Sequence, residues 1–85
     1  MAEVSDTWMH VTLLVDGEIS GYPFHFRSAF GGYRLAIVER GTDPKALSKN
    51  NALVYMQGIG GGTQRDAAML ILEAGIKLNR ILSRR

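Results

Sequence analysis

From Thr63 to Leu82 the apolar residues recur at helical spacing, and the segment follows a glycine cluster that no regular element can span. Gly58, Gly60, Gly61 and Gly62 would lose too much backbone entropy inside a strand or helix, so a loop is expected there. Thr63 then supplies an N-cap hydroxyl, with Asp66 three residues later in the first turn, as in a capping box. The chain should therefore end in one long helix, about Thr63 to Leu82.

Everything upstream reads as extended chain punctuated by turns. Trp8 to Asp16 is rich in β-branched and apolar residues, and Asp16-Gly17 carries the turn chemistry that joins hairpin strands. In the next run Tyr22, Phe24 and Phe26 share one side of an extended segment, while Pro23 confines it to a sheet edge or a strand start. Gly31-Gly32 breaks the chain before a third strand, Tyr33 to Arg40, which Gly41-Thr42-Asp43-Pro44 ends. Lys45 to Asn51 is polar, a short helical turn or a loop, and Ala52 to Gln57 reads as a further strand. The expected fold is α+β: three or four mainly antiparallel strands, then one long C-terminal helix. At 85 residues, without linker or internal repeat, residues 1–85 make a single domain.

The helix carries three stripes. Ala67, Ile71, Ala74, Leu78 and Ile81 form an apolar face suited to cover a sheet, with Leu70 and Leu82 at its edges. Asp66, Glu73, Lys77, Arg80 and Arg84 form a charged stripe, with Glu73 and Lys77 ordered for an i,i+4 pair. Met69, Leu72 and Ile76 point in a third direction, flanked by Arg65 and Asn79. A lone helix on a single sheet offers that third stripe nothing to pack against. Either the N-terminal arm or residues 41–51 fold over it, or a second molecule does.

Composition narrows the chemistry. Hydrophobic residues make up 46% and charged residues 21%, ordinary for a globular chain, and there is no cysteine, so disulfides, thiolate catalysis and cysteine-based metal sites are excluded. Acidic residues dominate the start: Glu3, Asp6, Asp16 and Glu18 precede position 21 without a single Lys or Arg. All ten basic residues follow, and such asymmetry suits association with phosphates or with an acidic protein face. No apolar run reaches membrane-span length, and the acidic N-terminus is unlike a secretory or transit peptide, so a cytoplasmic location and no membrane partner are expected.

Three stretches resemble ribonuclease H folds. Thr63-Gln64-Arg65-Asp66-Ala67-Ala68-Met69-Leu70-Ile71-Leu72-Glu73-Ala74-Gly75-Ile76-Lys77-Leu78 is similar to that family's first helix, which opens with a T-N-N-E-A-E-Y type motif followed by A-G-L-x-L. Upstream, Val15-Asp16-Gly17 resembles the D-G that ends the family's first strand, and Gly31-Gly32-Tyr33-Arg34-Leu35-Ala36-Ile37-Val38 resembles its G-G-Y-G-A-I-L strand. The likeness covers most of this chain but only about the first half of a full ribonuclease H domain. Family chemistry needs several carboxylates around two divalent ions. Asp16 matches one of them, the helix glutamate aligns with Ala68, and the remaining positions have no counterpart. The resemblance thus implies a catalytically incomplete domain. HicB-type antitoxins are similar in being such reduced β-β-β-α domains, and Gly61-Gly62-Thr63-Gln64-Arg65-Asp66-Ala67 approximates their G-x-T-x-x-E-A helix start, although their P-D-x-P-G stretch is missing. Their partner is a toxin protein. Double-stranded-RNA-binding domains also close with three strands and a helix, and Gly58-Ile59-Gly60-Gly61-Gly62-Thr63-Gln64-Arg65-Asp66-Ala67 resembles the start of that helix. It keeps one cation, Arg65, where that family has a lysine cluster.

Other chemistry finds no support. No Gly-Lys-Thr or Gly-Lys-Ser follows the glycine loop, the two histidines, His10 and His25, have no metal-ligand spacing, and no serine sits in a G-x-S-x-G elbow. No enzyme activity and no cofactor are expected. The sequence favours a small non-enzymatic regulator or inhibitor that occludes a larger protein or ribonucleoprotein, antitoxin-like or carried by a phage or plasmid, with a homodimer as another arrangement. Its candidate surfaces are Met69, Leu72 and Ile76 with rim cations Arg65 and Arg80, or the aromatic group Phe24, Phe26, Phe30 and Tyr33, for which core packing is the competing use. The alternative is a nucleic-acid-binding module for double-stranded RNA or RNA-DNA hybrid, using Arg27, Arg34, Arg65, Arg80, Arg84 and Arg85.

Overall fold

The structure is a computed structural model that describes residues 11–46 and 49–85. The expected beginning of the first strand, Trp8 to His10, lies outside them. Strands β1 (Val11–Ile19), β2 (Tyr22–Ala29), β3 (Gly32–Val38) and β4 (Ala52–Ile59) form one antiparallel sheet in the order β1-β2-β3-β4, and helix α1 (Gln64–Ser83) follows. The class is the expected α+β, with four strands rather than three.

Both tight connections are two-residue turns with positive φ at each central residue, Ser20-Gly21 at 54° and 85° and Phe30-Gly31 at 54° and 76°. Such turns match the right-handed twist of the strands they join. The first corrects the expectation at Asp16-Gly17. β1 runs straight through that dipeptide, pairing Asp16 with His25 and Gly17 with Phe24, and turns only after Ile19. The reason is packing: a Cβ on Gly17 would lie 3.0 Å from the Phe24 ring, so this glycine leaves room for an aromatic across the ladder. Pro23 sits second in β2, and the β2–β3 ladder begins only at Phe24, so its missing N–H falls at a strand start as its chemistry demands.

Strand alternation separates the sheet into two faces. Leu13, Val15, Phe24, Phe26, Leu35, Ile37, Val54 and Met56 meet the helix, whose Ala67, Ala74 and Leu78 complete the core. Phe26, Leu35, Ile37 and Leu78 are fully enclosed, each contributing roughly 1.5–3 kcal/mol through burial. Small residues at 67 and 74 let the helix approach β3 and β4 closely. Phe26 and Tyr33 stack with centroids 5.9 Å apart. Ser28 joins this face with its hydroxyl buried and unpartnered.

On the face away from the helix His25, Ala36 and Val38 are buried. A 3-10 turn at Pro44–Ala46, the short turn anticipated near Lys45, packs against β2 and β3. At that end Arg40 lies 4.8 Å above the Tyr22 ring, and Arg85 donates to Glu39 at 2.7 Å.

The glycine loop is held by contact as well as by backbone freedom. Gly60 donates its N–H to Gly31 O at 2.8 Å, fastening the loop to the β2–β3 turn. Gly60 and Gly61 both have positive φ, yet a Cβ on Gly60 meets nothing within 4 Å, while one on Gly61 would stand 2.9 Å from Tyr33 Cβ and 3.0 Å from Phe26 Cζ. Gly61→Ala should therefore destabilise the protein by about 1–3 kcal/mol more than Gly60→Ala, because it adds overpacking to a backbone cost that both share. Urea denaturation of the two variants measures the difference.

Candidate functional site

Helix α1 begins as its sequence dictates. Thr63 caps it in an extended conformation, and its Oγ1 accepts from Asp66 N–H at 3.1 Å. Twenty residues at about 3.6 per turn then set three stripes around one cylinder. Because the inner stripe must sit on β3 and β4, the third stripe points to the opposite side, away from the sheet. Met69, Leu72 and Ile76 are exposed by 63%, 67% and 48%; of the two segments expected to fold over them, Pro44–Ala46 packs on β2 and β3 instead, and the N-terminal arm lies outside the described residues. Three large apolar side chains on successive turns of an outward helix face make the largest such grouping among the described residues. Arg65 and Arg80, the expected rim cations, are exposed on the same helix.

Beside this strip, Ile19, Ile71, Leu72, Gly75, Ile76 and Asn79 line a shallow groove of about 320 Å³ between the end of β1 and the helix. Gly75 is unexpected in a helix interior, where glycine costs about 0.5–1 kcal/mol relative to alanine. Its surroundings do not require it, since a Cβ there would meet Ile19 Cγ2 at an ordinary 3.6 Å. Gly75→Ala should accordingly raise stability by about 0.5–1 kcal/mol in thermal or urea unfolding.

The other expected residues scatter. Phe24 and Phe26 belong to the core and cannot contact a partner, so the aromatic surface reduces to exposed Phe30 and partly covered Tyr33. Alternation on one strand face, which put Tyr22, Phe24 and Phe26 together, was the signal for their burial. The six arginines of the nucleic-acid reading also divide. Arg27 and Arg34 stand opposite each other on the sheet face away from the helix, Arg65 and Arg80 are on the helix with Arg84 at its C-cap, and Arg85 is bound to Glu39, which raises its pKa through hydrogen bonding and charge attraction. No single basic surface results. The Glu73–Lys77 pair does not close: among the described residues the ion pairs are Arg85–Glu39 and Asp16–His25. An exposed pair of that kind adds little to stability in any case.

Sequence reasoning missed the Asp16–His25 contact. The register places them directly opposite across β1 and β2, and the carboxylate hydrogen-bonds the buried imidazole through Nδ1. Only the ladder, invisible while Asp16-Gly17 reads as a turn, brings the two together. Asp16 thus projects from the face away from α1, while Ala68 lies on α1, so the two positions aligned with ribonuclease H carboxylates do not converge. Among the described residues no three His, Asp or Glu side chains gather to hold a metal. Nor, among them, is any helix long and apolar enough to cross a membrane. Compared with known protein families, curated proteins and solved structures, the chain matches none.

Asp16→Ala would leave the His25 ring without its acceptor in a mostly closed site. A loss of about 1–3 kcal/mol is expected at neutral pH, read from urea midpoints.

Proposed function

We propose that this protein is a non-enzymatic binding regulator that works by occlusion, laying the outward strip of α1 on a larger protein and blocking it. The observation that carries the reading is the row Met69, Leu72 and Ile76, left in water on the face opposite the core. Burying three such side chains against a partner is worth roughly 1.5–3 kcal/mol each before the costs of association. The groove along Gly75 supports the same surface. A glycine that the fold does not need keeps a helix flank open for close approach, at some loss of helix stability. The likeness to incomplete ribonuclease H domains of the HicB antitoxin kind points in the same direction, toward an antitoxin-like or phage- or plasmid-borne inhibitor acting in the cytoplasm. A second copy of this chain would suit the strip as well, and the same experiment registers it.

Leu72→Asp puts a charge in the middle of the strip without entering the core. Its unfolding free energy should stay within about 0.5 kcal/mol of the parent, while self-association in sedimentation velocity, or co-purification with the protein it regulates, is lost. Unchanged assembly by a folded Leu72→Asp protein would remove this face from consideration.

A further inference from the structure

The sheet face away from the helix carries a second feature, independent of the α1 strip. In the half nearer the β2–β3 turn the ladders align Leu14, Arg27, Arg34 and Gln57 in one row across all four strands. All four are exposed. The two central residues are direct cross-strand partners, and like charges so placed destabilise a sheet. Among the described residues neither guanidinium is in an ion pair or hydrogen bond that would relieve the repulsion. The carboxylate on the neighbouring row, Asp16, is already joined to His25. Gln57 extends the row of donors. Tyr55 donates its hydroxyl to Gln57 Oε1 at 3.3 Å, which turns the amide's acceptor toward the phenol and leaves its two N–H donors open. Two interstrand spacings of about 4.8 Å thus carry three donor groups with no acceptor facing them.

Beside the arginines lies a recess of about 210 Å³ lined by Arg27, Ala29, Phe30, Gly32 and Arg34. Gly32 keeps it open, because a Cβ there would stand 2.9 Å from Gly58 O and no side chain can fill the position. Pockets that enclose a drug-sized molecule measure roughly 300–1,000 Å³. This one suits a group of phosphate size, with the rest of any larger ligand outside it. Two uncompensated cations call for two negative charges on one small group. A carboxylate or a phosphodiester brings one, whereas a phosphate monoester brings about −1.5 to −2 near neutral pH. Its oxygens also match the planar fork of each guanidinium.

We infer that Arg27 and Arg34, with Gln57 next to them in the row, bind a phosphate dianion, either inorganic phosphate or the terminal phosphoryl group of a monoester. The bound dianion turns a cross-strand repulsion into attraction, so the sheet is stabler with the site filled than with it empty. A nucleic-acid backbone is the poorer ligand, since each of its diesters carries a single charge.

Titration of the isotope-labelled intact protein with sodium phosphate, sodium chloride holding the ionic strength constant, tests this through the arginine Nε–H signals in NMR spectra. Those of Arg27 and Arg34 should shift along a saturating curve. Arg27→Lys and Arg34→Lys, which keep the charge and lose the fork, should each raise the Kd about tenfold. In chloride alone Arg34→Gln should raise the thermal midpoint, because it removes the like-charge pair. Phosphate should raise the midpoint of the parent and no longer that of Arg34→Gln. Leu72→Asp should leave the shifts untouched, which separates this site from the helix surface. Equal saturation by O-phospho-L-serine assigns the site to monoesters, saturation by the free ion alone assigns it to inorganic phosphate, and either result bears the site out. Three outcomes overturn the inference: no saturable shift with either compound, equal shifts with singly charged dimethyl phosphate, or a lowered midpoint of Arg34→Gln in chloride.

Discussion

Packing of one helix on one face of a four-stranded sheet governs the rest of this molecule. Leu78, Ala74 and Ala67 press onto Phe26, Leu35, Ile37 and Val54, and there the enclosed core is concentrated. In so small a chain the fraction of surface removed from water is limited. A single helix covers one face once. It leaves its own outer side and half of the opposite sheet face to solvent, and the two features that set this protein apart from a bare scaffold lie on those two surfaces.

Each surface contains choices that local stability would not make. Met69, Leu72 and Ile76 keep apolar area in water, Gly75 weakens the middle of a helix, Arg27 faces Arg34, and Phe30 takes a glycine's conformation. Apart from the unpartnered Ser28 hydroxyl in the core, the remaining positions follow the ordinary rules: Thr63 caps, Gly61 yields space to Tyr33, and Pro23 waits at a strand start. Departures from local consistency that concentrate on exposed positions are the pattern expected where a surface has work to do.

The elements were legible wherever their signal was local. Helical spacing gave α1 to within a residue, since Thr63 and the glycine loop mark its start chemically. Strand alternation put Phe24 and Phe26 on one side, although whether that side faced a core or a partner depended on where the helix would land. The turn at Ser20-Gly21 was obscured because Asp16-Gly17 has the stronger turn chemistry. Only the fit of Phe24 over Gly17 settles which dipeptide bends. The pairs Asp16–His25 and Arg27–Arg34 were not legible at all. Both are products of register, which follows from turn position: the break read at Asp16-Gly17 concealed the first pair, and the break read at Gly31-Gly32, one residue past the actual turn at Phe30-Gly31, concealed the second.

Exposure of the α1 strip in the isolated chain, and its closure on association, is the claim on which the functional account rests. The natural chain has no cysteine, so Leu72→Cys introduces a single thiol at the strip's centre, and its maleimide reaction rate can be followed from nanomolar to high micromolar protein, with and without a bound partner. The account predicts a rate near that of the urea-unfolded chain when the protein is dilute and alone, falling sharply in step with assembly. A thiol protected even in the dilute, isolated protein, or one that reacts as fast within an assembly as outside it, would contradict it.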